Sequence, residues 1–242
     1  MRKLALIACS VLALGACSEK DPILPGTRTE IFASPAPTIL NTEIKNLPDA
    51  AFAAAAQDCP YTQDATNTIR DGDRKIFSGF PTSNSVKSVR QPVCNGKYVY
   101  AGLTTGELVK VNPKTRQIVW IADIYRASNI TGGASVLDIV APIVITEKSV
   151  YVGGLGDAFC KIDDAGGNKK WCLDIGTANP FIIAGHSAFV VATDGYLYAV
   201  RLRDGAIYWR TALEKQATPK YADGVITVGR QKINAKNGQL IK

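Results

Sequence analysis

Gln91–Gly102 (QPVCNGKYVYAG), Ala141–Gly153 (APIVITEKSVYVG), Asn179–Ala192 (NPFIIAGHSAFVVA) and Thr218–Gly229 (TPKYADGVITVG) are four versions of one segment. Their prolines, Pro92, Pro142, Pro180 and Pro219, stand 50, 38 and 39 residues apart. A tryptophan follows the first three after 28, 29 and 29 residues, at Trp120, Trp171 and Trp209. A period near forty, made of short apolar runs broken by turn residues, predicts one four-stranded antiparallel sheet per repeat. Alternation places strands at 97–101, 107–111 and 118–124 in the first repeat, and at 188–192, 196–202 and 206–213 in the third. The third repeat turns at Asp194-Gly195 and Asp204-Gly205, pairs suited to tight hairpins because glycine accepts positive φ. The fold class expected is therefore all-β: a β-propeller of four-stranded antiparallel blades, small or incomplete, with three clear blades and a shortened fourth over residues 91–242.

Residues 49–90 form a segment before the repeats, whose alanine run Ala53–Ala56 marks the one plausible helical turn in the chain. Upstream, Pro22, Pro25, Pro35, Pro37 and Pro48 interrupt any helix, so residues 17–48 are expected to be an extended tether. Residues 1–16 carry Arg2 and Lys3, then the apolar run Leu4–Leu14, then Gly15 and Ala16. That order of charge, apolar core and small residues is a secretory signal peptide, too short to span a bilayer as a mature helix. Leu14, Gly15, Ala16 and Cys17 resemble the bacterial lipobox, which implies lipidation (palmitate) of Cys17 and anchoring of the mature chain to a membrane. Several acyl chains anchor stably where one does not, at roughly 0.8 kcal/mol per buried methylene.

The composition, 46% apolar, 8% aromatic and 20% charged, excludes wholesale disorder. The formal charge of +7 falls to +5 once Arg2 and Lys3 leave with the signal. The remaining basic residues are scattered rather than striped with aromatics, so no nucleic-acid partner is expected. His186 is the only histidine and lies in the turn AGHSAF, where an exposed or locally bonded imidazole is the usual outcome; no catalytic or metal-binding residue is expected. Cys59, Cys94, Cys160 and Cys172 remain in the folded part, enough for two disulfides in an oxidising compartment. Cys160 and Cys172 flank the turn at Asp164–Asn168 symmetrically and are expected to face each other across two strands, leaving Cys59 to pair with Cys94. Two buried free thiols are the competing reading.

One further pattern runs through the repeats: Asp163, Gly167 and Trp171 stand at steps of four. Arg201, Gly205 and Trp209 repeat it with the acid replaced, Asn112, Arg116 and Trp120 with two departures, and Asn234, Gly238 and Lys242 without the indole. This resembles the repeats of the pyrroloquinoline-quinone-like propeller family, in which the indole packs between neighbouring blades while its N–H meets a backbone acceptor. Trp120, Trp171 and Trp209 are thus expected as blade-packing residues. Together with the signal, Cys17 and the stretch Leu24–Phe32, the chain resembles the BamB-like propeller lipoproteins of the outer-membrane β-barrel assembly machinery, in their short, alphaproteobacterial form. That family's ring has eight blades, more than this sequence carries. The resemblance implies a non-enzymatic scaffold without cofactor, lipid-anchored in the cell outer membrane and facing the periplasm. Its partners would be the assembly machinery and nascent outer-membrane proteins. The alternative is a periplasmic propeller lipoprotein that binds another envelope protein or a cell-wall component. Quinoprotein dehydrogenases share the repeat, but they carry an adjacent-cysteine disulfide, and no two cysteines here are adjacent.

Overall fold

Strands begin at Thr62 in the computed structural model, which describes residues 37–51, 59–82, 85–86, 91–125, 136–146 and 148–241. The expected signal, Cys17, the first part of the tether and the helical turn at Ala53–Ala56 lie outside the described residues. β1 (Thr62–Gln63), β2 (Thr68–Asp71) and β3 (Arg74–Ser78) form a three-stranded antiparallel sheet in the segment before the repeats. Each repeat then makes one four-stranded meander. The first holds β4 (Val93–Asn95), β5 (Tyr98–Gly102), β6 (Glu107–Asn112) and β7 (Gln117–Asp123). The second holds β8 (Val144–Ile145), β9 (Ser149–Gly154), β10 (Ala158–Asp163) and β11 (Lys169–Leu173). The third holds β12 (Ile182–Ala184), β13 (Ser187–Val191), β14 (Tyr196–Arg201) and β15 (Ile207–Ala212). The fourth, shorter in every strand but its first, holds β16 (Lys220–Ala222), β17 (Val225–Val228), β18 (Gln231–Asn234) and β19 (Leu240–Ile241).

The middle strands read as unbroken apolar runs because both of their faces are buried. On β5, Val99 and Ala101 pack toward β1–β3, whereas Tyr100 packs toward the second blade. On β9, Val150 and Val152 return that contact, and Tyr151 faces the third blade. On β13, Ala188 and Val190 face the second blade while Phe189 and Val191 face the fourth. Alternation of period two thus gives every inner strand one face for each neighbour, and the sheets stack in sequence order through four core clusters. Among the described residues no core cluster joins β1–β3 to β16–β19, so the propeller row is open.

Residues 37–48 of the expected tether are packed against the third and fourth blades. Ile39 pairs in parallel with Ile207, and the Leu40 and Thr42 amides donate to the Ile207 and Tyr208 carbonyls. The Ile44 amide then donates to the Lys236 carbonyl, and the Ile44 side chain is buried with Ile226 and Ile233. Either Thr29–Ala33 or Thr38–Ile44 would be expected to pair beside the last blade. Thr38–Ile44 reaches that blade, but its ladder partner is the third one, because β19 spans only two residues whereas the edge of β15 is free at Ile207. Thr29–Ala33 lies outside the described residues.

Candidate functional site

The three tryptophans do one job at three successive interfaces. Each stands on the last strand of its blade and crosses to the turn between the third and fourth strands of the next. Trp120 Nε1 donates to the Asp164 carbonyl at 2.9 Å, Trp171 Nε1 to Leu202 at 3.2 Å, and Trp209 Nε1 to Lys236 at 3.1 Å. The indole faces lie on Gly167, Gly205 and Gly238, where an added Cβ would meet the ring at 2.7, 3.0 and 2.6 Å. The glycine four places before Trp171, Trp209 and Lys242 is therefore set by the indole of the preceding blade. Positive φ is the second reason, +73° at Gly167. Arg116 holds the same turn at φ +59° with a side chain, which the packing allows because β1–β3 carries no tryptophan to cover it.

The polar head of the turn is equally local. Asp163 accepts the Gly166 amide at 3.0 Å, and this bond, together with Lys170, holds its carboxyl below the usual carboxylate range. Asn112 and Asn234 accept the backbone amides of Lys114 and Lys236, two residues on, in a similar way. In the third blade Asp204 accepts the Ala206 amide at 3.3 Å and Arg201 Nε and Nη2 at 2.8 Å each. Arg201 is the main cause of its carboxyl being held down at about 2.

Behind the first indole lies a buried ion pair. Lys110 Nζ, 3% exposed as a residue, sits 3.0 Å from both Asp164 carboxylate oxygens and donates to the Asp164 carbonyl at 2.8 Å. The Tyr100 hydroxyl donates to the same carboxylate at 2.6 Å. Burial, and then that bond and charge, push the Tyr100 phenol well above its usual range. Lys110 also lies over the Tyr98 ring, 4.4 Å from its centroid. Each member is satisfied, the condition under which a buried pair is tolerated.

The second interface repeats the donors and changes the acceptor. Lys161 and Tyr151 hold on β10 and β9 the places that Lys110 and Tyr100 hold on β6 and β5, opposite one another in register and beside the tryptophan. Lys161 Nζ donates to the Leu202 carbonyl at 3.0 Å, the bond Lys110 makes to Asp164, but Leu202 brings no carboxylate. A cleft of about 950 Å³ opens here, lined by Tyr151, Lys161, His186, Arg201, Arg203 and Tyr208 among others. In the third interface Ala199 and Phe189 take the lysine and tyrosine places, so the cation is gone altogether. Among the described residues no group of three or more His, Cys, Asp or Glu side chains is assembled for a metal ion.

The disulfides are Cys160–Cys172, across the β10–β11 hairpin, and Cys59–Cys94, which ties the chain ahead of β1 to β4. His186 is exposed in the β12–β13 turn, at the cleft rim. The last strand of the first blade exposes apolar side chains, with Ile118, Val119 and Ile121 on β7 41–50% exposed, and the short β19 of the fourth blade exposes Leu240 and Ile241 as well. On β11 the exposed residues are Lys169, Lys170 and Cys172, and β15 is partly covered by residues 38–42. Sequence reasoning placed the tryptophans and cysteines but missed Lys110, Lys161 and Asp164. Aligning the repeats on tryptophan would have found them, since the lysines stand ten places before it and Asp164 and Leu202 seven.

The family model described as outer membrane protein assembly factor BamB matches residues 73–211. The crystal structure of BamB from Moraxella catarrhalis superposes with a TM-score of 0.62 at 16% identity, over 73% of this chain and 58% of that one. This chain thus corresponds to little more than half of the Moraxella protein. A computationally designed protein, Ika8, gives a TM-score of 0.49 at 14% identity over 75% of this chain and 56% of its own. No curated protein sequence matches significantly. The family match spans more than half of the residues and coincides with the stacked, tryptophan-clamped sheets: the chain belongs to the family of the outer membrane protein assembly factor BamB.

Proposed function

We propose that this protein is an outer-membrane lipoprotein scaffold that assists the assembly and insertion of β-barrel outer-membrane proteins. Cys17 carries the lipid, and the propeller faces the periplasm. The observation that carries the reading is the family match over residues 73–211, and the exposed β7 edge supports it. A scaffold needs no catalytic residue. It needs a surface that accepts another chain, and an edge strand offers unpaired backbone N–H and C=O groups as a template. Ile118, Val119 and Ile121 add apolar contact of the kind an extended barrel strand presents. Affinity capture of the full lipoprotein from envelope extracts tests the proposal. Recovery of the β-barrel insertase is the expected result. Its absence, with another envelope protein or a wall fragment in its place, replaces this reading with the alternative one. A crosslinking residue placed at Ile121 is expected to label the insertase or a nascent barrel protein.

A further inference from the structure

We propose that the cleft between the second and third blades is a carboxylate-binding site for an acidic side chain of a protein partner. Lys161 and Tyr151 take that group as Lys110 and Tyr100 take Asp164 within the molecule. The first interface is the template. There a lysine, a tyrosine hydroxyl and an indole surround one carboxylate, whose residue also supplies the backbone carbonyl that receives the lysine and the indole.

In the second interface the carbonyl of Leu202 receives Lys161 and Trp171 in the same pattern. Tyr151 stands at the same register position beside the lysine, and Lys161 Nζ lies 5.8 Å from the Tyr151 ring centroid against 5.1 Å for Lys110 over Tyr100. Only the carboxylate is lacking: Leu202, buried in the core, stands where Asp164 stands, and the cleft reaches Tyr151 and Lys161 beside it. Asp204, two residues beyond Leu202, does not fill the role, because Arg201 and Arg203 hold it. Lys161, Arg201 and Arg203 against Asp204 leave the cleft with net positive charge, and His186 adds a further donor at the rim. A buried or half-buried cation without an anion is an unfavourable arrangement that an incoming carboxylate relieves.

The occupant is a side chain of a larger partner rather than a free acid, because the cleft is far larger than a carboxylate. Its walls include Ile183, Leu202 and Tyr208, apolar surface suited to the stem of a glutamate and its neighbours in a chain. This inference does not rest on the assembly reading, and capture of a different partner would leave it standing.

Calorimetric titration of the full chain in detergent with a hexaglutamate peptide capped at both ends tests it, with sodium acetate and inorganic phosphate as separate titrants. The peptide is expected to bind saturably. Lys161→Met is expected to weaken it about tenfold or more, the scale of a lost charge-assisted hydrogen bond. Leu202→Asp builds the missing acid into the chain and is expected to abolish peptide binding while the protein remains folded by circular dichroism and melts no lower. Lack of peptide binding to the parent chain overturns the proposal, as does peptide binding that survives both substitutions. Acetate binding as tightly as the peptide overturns the assignment to a partner side chain, and phosphate binding without peptide binding overturns the carboxylate chemistry.

Discussion

The first and second blade interfaces use the same clamp and differ at one side chain. In both, a tryptophan on the last strand lies on a glycine of the next blade and donates to the carbonyl one position after the turn's leading residue. In both, a lysine and a tyrosine stand behind the indole. Asp164 closes the first into a buried ion pair, whereas Leu202 leaves the second as a cleft. A repeat architecture therefore separates two tasks: the indole, glycine and carbonyl hold the blades, while the residue seven places before the tryptophan decides whether the interface is sealed or open.

The largest effect that distinguishes the interfaces is expected from Asp164→Leu, which makes the first resemble the second. Lys110 then loses its counter-charge in a buried position, and chemical denaturation should report a loss of about 3–5 kcal/mol. Adding Lys110→Met should recover most of it; failure to recover would mean that packing, not charge, dominates the first interface. Next, Gly167→Ala should cost roughly 2–3 kcal/mol, the sum of left-handed strain and collision with Trp120. Gly205→Ala is expected to cost less, because the approach there is 3.0 Å rather than 2.7 Å and Trp171 is only partly buried. Equal losses at the two glycines would break the comparison. Smaller again is the contrast at the cleft. Leu202→Asn should be less stable than Leu202→Asp by about 1–2 kcal/mol, because only the acid supplies a charged acceptor to Lys161.

The smallest effect is in pH. Asp204 is depressed from 3.8 to about 2 by Arg201, so its contribution is present above the unfolded value and lost as pH falls through the folded one. Thermal melts between pH 5 and pH 2 should show a shallower acid loss in Asp204→Asn. The difference is small because the carboxylate is 38% exposed and solvent screens it.

Much of this was legible before any coordinates. Proline and tryptophan spacing marked the blades because each repeat buries the same positions, and the symmetry of Cys160 and Cys172 about a turn pointed to cross-strand partners. The sheet β1–β3 was not read from the sequence: it has no tryptophan and only three strands, although Pro60 stands two residues before β1 and Asp71-Gly72 between Arg70 and the β3 run is a hairpin signal. Lys110 and Asp164 are 54 residues apart and belong to different repeats, so no local pattern joins them. Nor does local pattern show that Leu202 leaves Lys161 without a carboxylate, a fact that depends on stacking one turn against the next blade. The docking of Thr38–Ile44 was only half legible, since the sequence offered a strand but not which edge would be long enough to receive it.

The segment Thr38–Asp49 has a consequence for the order in which the molecule comes together. Every blade closes through hairpins between neighbouring strands, contacts of short sequence separation that form quickly. The bonds of Ile39 to Ile207 and of Tyr221 to Pro48, the latter 173 residues apart, require the third and fourth blades to exist first. Long loops raise the closure cost only slowly with length, but they delay the contact until its distant half is folded. During folding the edge of β15 therefore has no cover until the segment near the start of the chain comes back to it, and the amides of Leu40 and Thr42 should be among the last to gain protection from hydrogen exchange during refolding.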